Sequence, residues 1–140
     1  MSRRDRVVAA AKGAVGATFR LHGRNPAYGL DCVGLAGLAL RAGGYDGDIP
    51  ADYPVRGWMA SQMMEAIDAG ALVRTDRPAP GDLLLFAIDA AHFHLGIKTP
   101  GGIVHADASL RRVVERPGVP PWPLVAAWTL TDEAFRERWD

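Results

Sequence analysis

A single cysteine in 140 residues rules out an intrachain disulfide. The fold therefore does not depend on an oxidising compartment, and the lone thiol, Cys32, is left to packing or to chemistry. Net charge is also missing: sixteen Lys and Arg offset sixteen Asp and Glu. That balance removes the electrostatic case for nucleic acid as a partner, and for an anionic membrane. No apolar run approaches the ~20 residues of a membrane-spanning helix, so no membrane insertion is expected. Arg3, Arg4 and Arg6 before the apolar stretch Val7 to Ala11 have the look of a signal peptide, but Lys12 interrupts it and none is expected. Internal repeats and a dividing linker are absent too. What is present is an ordinary globular composition, 49% hydrophobic and 23% charged. One domain over residues 1–140 is expected, long enough to bury a core without metals.

The two halves differ in texture. Val7, Val8, Ala11, Val15 and Phe19 recur at helical spacing, which predicts an amphipathic helix near residues 3–17. A second helix is predicted from Cys32 to Ala42, stopping at Gly43-Gly44. A third, near 57–69, aligns Trp58, Met59, Met63, Met64 and Ile67 along one side, a stripe best read as core packing. After Gly70 the pattern turns to strands. Gly81-Asp82 opens the apolar run Leu83 to Phe86; Phe93 to Lys98 and Ile103 to Ala106 flank the turn Thr99-Pro100-Gly101-Gly102. Further strands are predicted at Arg111 to Glu115 and Leu124 to Leu130, separated by a loop carrying Pro117, Pro120, Pro121 and Pro123. Thr131 to Asp140 reads as a short helix or tail. Helices first and antiparallel strands second indicate the α+β class.

Candidate chemistry starts at Asp31-Cys32-Val33-Gly34-Leu35. Asp31 suits a helix N-cap, accepting from the Val33 or Gly34 amide. Cys32 then sits on the first turn, where free amides and the helix dipole favour thiolate. Gly34 and Gly37 weaken the helix but permit close approach by another element. A lone cysteine is nonetheless most often a small buried hydrophobe, and position alone does not displace that reading. A thiol nucleophile needs a base, and the base needs an orienting partner. His92 and His94, two apart on one strand, share a face. His105 lies on the next strand, and a hairpin centred on Pro100-Gly101 brings residue 94 opposite 106 or 107, close to His105. Each histidine alone is more often structural than catalytic; together with Cys32 they form a candidate set.

Here the sequence resembles the NlpC/P60 cysteine peptidases. Asp31-Cys32-Val33-Gly34-Leu35 is similar to their Asp-Cys-Ser-Gly-Leu signature, with valine for the usual serine. Gly81-Asp82-Leu83-Leu84-Leu85-Phe86 resembles their Gly-Asp-Leu-x-x-Phe strand, His94-Leu95-Gly96-Ile97 their histidine strand, and Ile103-Val104-His105-Ala106 the strand of the third polar residue. The four blocks keep the family's order and cover about residues 5–130. The resemblance implies a papain-like fold, N-terminal helices packed on a small antiparallel β-sheet, with no cofactor and no metal. It also implies roles: Cys32 as nucleophile, His94 as general base, His105 orienting His94, and the Cys32 amide in the oxyanion hole. One departure concerns the second oxyanion donor. Many relatives have a tyrosine about a dozen residues before the cysteine, where this chain has Phe19, which lacks a hydroxyl; His22 is a substitute candidate, supported by Asp31. The stretch Phe19-Arg20-Leu21-His22-Gly23-Arg24 is most similar to the short phage-tail and gene-transfer-agent members. Their implied substrate is the peptidoglycan stem peptide, at the γ-D-glutamyl–diaminopimelate bond. With no signal peptide expected, the implied delivery is from the cytoplasm to the cell wall within a phage-like tail, whose proteins would be partners.

Two other readings use the same residues. His92-x-His94 followed by Pro100-Gly101-Gly102 and His105 partly matches the cupin metal pattern, in which three imidazoles hold zinc or iron. The carboxylate expected after the His-x-His pair is missing, Ile97 and Lys98 standing there, and a cupin leaves Cys32 unexplained. A tail-assembly module with little catalytic activity is the third reading. Asp107, two residues beyond His105, is read as a solvated turn residue rather than one that tunes the site. Specificity is expected to reside in loops such as Arg41 to Arg56.

Overall fold

The computed structural model of the chain describes residues 1–50, 53 and 59–130. The first helix, α1 (Arg3–Gly13), starts in a capping box: Ser2 Oγ accepts the Asp5 amide at 3.1 Å, and Asp5 Oδ2 accepts the Ser2 amide at 3.0 Å. It ends four residues sooner than helical periodicity predicts. Gly16 takes a left-handed φ of 95°, which turns the chain out of the helix. Residues 16–19 then run beside the sheet edge, with Gly16 and Phe19 donating to the carbonyls of Val113 and Arg111 at 2.9 Å each. Val15 is consequently exposed rather than part of a buried stripe.

A two-residue ribbon, β1 (Arg24–Asn25) and β2 (Gly29–Leu30), leads into α2 (Cys32–Ala42). Patterning does not reveal this ribbon because its strands are too short for a period to register. Asp31 caps α2, accepting the Gly34 amide at 2.8 Å. α2 is buried along Val33, Leu35, Ala36, Ala39 and Leu40, so it fills the middle of the core rather than lying on its surface. α3 (Ala60–Asp68) buries Met63 and Ile67. Met64 packs partly against the core, while Met59 caps the helix with its side chain 48% exposed and leaves the expected stripe. Trp58 lies outside the described residues, as do residues 131–140 and, in the loop expected to set specificity, 51, 52 and 54–56.

Six strands form one antiparallel sheet: β3 (Val73–Arg74), β4 (Leu83–Asp89), β5 (His92–Thr99), β6 (Gly102–Asp107), β7 (Arg112–Pro117) and β8 (Leu124–Thr129), in the order β3-β8-β4-β5-β6-β7. Central β4 has no polar alternation because both faces are covered. Leu83 and Leu85 face the helices, whereas Leu84 and Phe86 join Ile103 and Ala127 in a smaller cluster on the other side. Each such fully buried side chain contributes roughly 1.5–3 kcal/mol. Asp82, 1% exposed, clamps α1 to the start of this strand through Arg4 Nη1 at 2.6 Å, and Arg4 Nη2 reaches Thr129 Oγ1 at 2.6 Å. Pro117 ends the edge strand β7, where its missing N–H costs no ladder bond. The expected α+β architecture, helices packed on an antiparallel sheet, is what the chain adopts.

Candidate active site

Three elements meet at the start of α2. The ladder between β5 and β6 pairs only Ile97–Thr99 with Gly102–Val104. Beyond it, the amide of Leu95 is taken up by the sulfur of Cys32, which is half-buried at the head of α2. The nucleophile candidate therefore lies one residue from His94. Across the strand gap, His94 Nε2 and His105 Nδ1 are 2.7 Å apart, the rings nearly perpendicular at 88°. Gly96 lies against the neighbouring strand here: a Cβ there would sit 3.3 Å from the Val104 carbonyl, a tight contact, and 3.7 Å from His105 Cβ, an ordinary one. Among the described residues no hydrogen bond joins Cys32 to His94, a contact that commonly closes only when substrate is bound.

The charge states differ from what a helix start alone predicts. Burial, and then the neighbouring Asp31 carboxylate, push the Cys32 thiol up to about 12. The amides of Leu95, Val33 and Cys32 pull the other way and do not prevail. Burial, then the proximity of His105, lowers His94 to about 4, with Asp107 opposing. Burial also lowers His105, which is 2% exposed; Asp107 again opposes and Arg116 reinforces. At neutral pH the pair is a thiol beside a neutral imidazole, not a preformed ion pair. The helix dipole and N-terminal amides favour thiolate as expected, but desolvation of a buried sulfur outweighs them.

The backbone arrangement that delivers these groups is shared with known structures. The NlpC/p60 domain of peptidoglycan hydrolase SagA superposes with a TM-score of 0.62 at 23% identity, covering 91% of this chain and 98% of that one. NlpC1 from Trichomonas vaginalis gives 0.66 at 20% identity, over 92% of this chain and 45% of that one. The P60 domain of antigen MAP1204 from M. avium subspecies paratuberculosis gives 0.58 at 19%, over 91% and 93%. The chain has the NlpC/P60 fold. No family model and no curated protein matches the sequence itself.

The NlpC/P60 fold overturns the cupin-like alternative, since a cupin lacks the helical half that carries Cys32. His92 is held at the rim by Asp89, its Nδ1 2.7 Å from the carboxylate, and among the described residues no group of three or more His, Cys, Asp or Glu could hold a metal ion. Asp107, expected to be a solvated turn residue, is instead the half-buried last residue of β6, paired with Arg112; its Oδ1 accepts the amides of Ser109 and Leu110 in the following turn at 2.8 and 3.0 Å, and its charge reaches both site histidines. Phe19 is half-buried against the core, bridged to Leu30. His22 adopts φ 59° and turns its backbone amide onto Asp31 Oδ2 at 2.8 Å. Its Nε2 lies 2.8 Å from the Tyr53 carbonyl, which can only accept, so the ring proton is directed there.

Two residues beside the candidate site went unassigned from sequence. Asp31 is 3% exposed and accepts from four donors: the Gly34 amide, the His22 amide, Arg24 Nη1 at 3.0 Å and the Tyr53 hydroxyl. Arg24 Nη2 in turn donates to the Tyr53 hydroxyl at 2.9 Å. Burial, then the bond to Asp31, raises the Tyr53 phenol, which stays protonated. Arg24 stood within the motif stretch, but Tyr53 carries no motif and lies 22 positions beyond Asp31. Only tertiary contact reveals it.

Proposed function

We propose that this chain is a cysteine hydrolase acting on peptidoglycan stem peptides, with Cys32 as nucleophile, His94 as general base and His105 orienting His94. One observation carries the reading: the 2.7 Å His94–His105 contact adjoins a helix-start cysteine whose sulfur meets the amide next to His94. With Nε2–H of His94 donating to Nδ1 of His105, Nδ1 of His94 is the free acceptor for the thiol proton. Each shifted pKa disfavours one charge by itself. Passing the proton from Cys32 to His94 makes both charges together, and each then stabilises the other. The thiolate attacks the peptide carbonyl, and the backbone amide of Cys32 meets the developing oxyanion. His94 returns the proton to the leaving amine, then takes one from the water that hydrolyses the acyl-enzyme.

The finer reading is cleavage at the γ-D-glutamyl–diaminopimelate bond, supported by the stretch Phe19 to Arg24 ahead of Asp31-Cys32, which is most similar to phage-tail members. On the same support, the chain would act as part of a phage-like tail particle. The test is a muropeptide digest read by mass spectrometry. Wild-type chain should give products cut at one stem-peptide bond, and Cys32→Ala should give none while keeping its thermal transition. Unchanged cleavage by Cys32→Ala ends the nucleophile assignment. Co-purification with tail components tests delivery, and the chain recovered free of any particle would contradict it.

A further inference from the structure

Trp122 takes no part in the proposed chemistry, yet three rings of the site side of the sheet meet it. Its centroid lies 5.1 Å from that of His94, 5.4 Å from His105 and 5.7 Å from Phe86, with planes 71°, 75° and 64° apart. All three are edge contacts of the kind aromatic pairs favour. The Arg116 guanidinium stacks over the indole at 5.7 Å. The indole is half-buried against the cluster of Leu84, Phe86, Ile103 and Ala127, and it also lines the open cleft that contains His92, Phe93, His94, His105 and Asp107. It thus lines that cleft beside the histidine pair, packed edge-on against both rings.

The loop holding it is stiff. Pro120 and Pro121 precede Trp122 and Pro123 follows, so three φ angles are fixed by proline rings. Both ends are tied to the sheet: Gly118 donates to the Gly101 carbonyl at 2.9 Å, and Ala87 donates to the Pro123 carbonyl at 3.1 Å. A side chain on so constrained a loop is delivered in one place, which is how a neighbour's geometry is preorganised rather than selected at each turnover.

We infer that Trp122 is a positioning residue: its indole, packed edge-on against both imidazoles, holds the His94–His105 pair in the orientation that leaves one His94 nitrogen for Cys32. The inference rests on the hydrolase reading above. The apolar indole also keeps water off the part of the His94 ring that it covers, which favours the neutral imidazole. The charged groups acting on His94 are His105 and Asp107 from β6; Arg116 from β7 acts on His105, and the Asp89–His92 pair lines the same cleft.

The experiment compares wild type with Trp122→Ala, Trp122→Leu and Trp122→Phe in the full chain. Trp122→Leu refills the apolar space without a ring, so it serves if Trp122→Ala does not fold. Two readouts are taken: NMR titration of the His94 and His105 imidazoles, and kcat and KM against pH on the muropeptide. In the Ala and Leu variants the His94 midpoint should move from about 4 toward 6.5. The acid limb of kcat should move with it, and kcat should fall about tenfold with KM within twofold of wild type. Trp122→Phe should restore both. A rise in KM alone makes Trp122 a substrate platform and overturns the inference, as does an unmoved His94 midpoint in an active enzyme. The titration needs no turnover. A wild-type chain that cleaves no muropeptide, while Trp122→Leu moves His94, overturns the hydrolase reading and sustains the Trp122 assignment.

Discussion

Asp31 and Cys32 are neighbours in sequence with opposed electrostatic needs. The carboxylate is buried at the head of α2 and saturated by four donors, while its charge, after burial, is the second cause that keeps the adjacent thiol protonated. Iodoacetamide should therefore label Cys32 slowly at pH 7, with a rate that climbs about tenfold per pH unit toward the region near 12. Asp31→Asn removes the charge and should speed labelling at a fixed alkaline pH. Rapid labelling of wild type at pH 7 would instead mean a resting thiolate. Asp31→Ala has a different expected effect. It leaves the Tyr53 hydroxyl and two amides without their acceptor, while the exposed Arg24 keeps its bonds to Gly23 and Tyr53, and a urea midpoint should report a loss of about 1–3 kcal/mol.

The elements meet where side chains are missing. α2 enters the site because Gly34 lets it press onto the loop before β1: a methyl at 34 would overlap the Gly23 carbonyl, a backbone atom that cannot swing away. Gly34→Ala should destabilise by about 1–3 kcal/mol despite its gain in helix propensity, measurable as a lowered urea midpoint. The shift should exceed that for Gly13→Ala in α1, where nothing lies within 4 Å of the added carbon. Gly96 plays a milder part on β5, where an added Cβ would press on the Val104 carbonyl of β6 at 3.3 Å. The same two glycines sit in the two motif blocks, so what reads as a signature is in part a clearance requirement.

For the whole molecule, the histidine pair couples folding to pH. The folded chain holds His94 at about 4 against 6.5 in an unfolded chain, and His105 is lowered as well. Between those values the unfolded state binds more protons, so stability is full above pH 6.5 and falls as pH drops toward 4. The expected loss is on the order of 3 kcal/mol, read as a falling urea midpoint across that window. His94→Gln should flatten much of the slope. The acid limb of the cleavage rate should fall well below pH 6.5 for the same reason.

Much of the fold was legible in sequence because period and punctuation are local. Gly43-Gly44 marked the end of α2, and Pro100-Gly101 marked the hairpin whose register, Ile97 opposite Val104 to Thr99 opposite Gly102, carries His94 and His105 to the same end. Helical period alone overran at Gly13, where sheet-edge hydrogen bonds to Arg111 and Val113 win residues 16–19, and β1, β2 and β3 were too short to register. The sequence by itself determined the α+β class, the order of the motif blocks and which residues carry reactive groups, since these follow from chemistry along the chain. Only the tertiary structure decided the protonation of Cys32 and His94, the bonding of Asp31 to Arg24 and Tyr53, and the edge contacts of Trp122 with the histidines. Burial and contacts between residues tens of positions apart set those properties, and neither is written in local pattern.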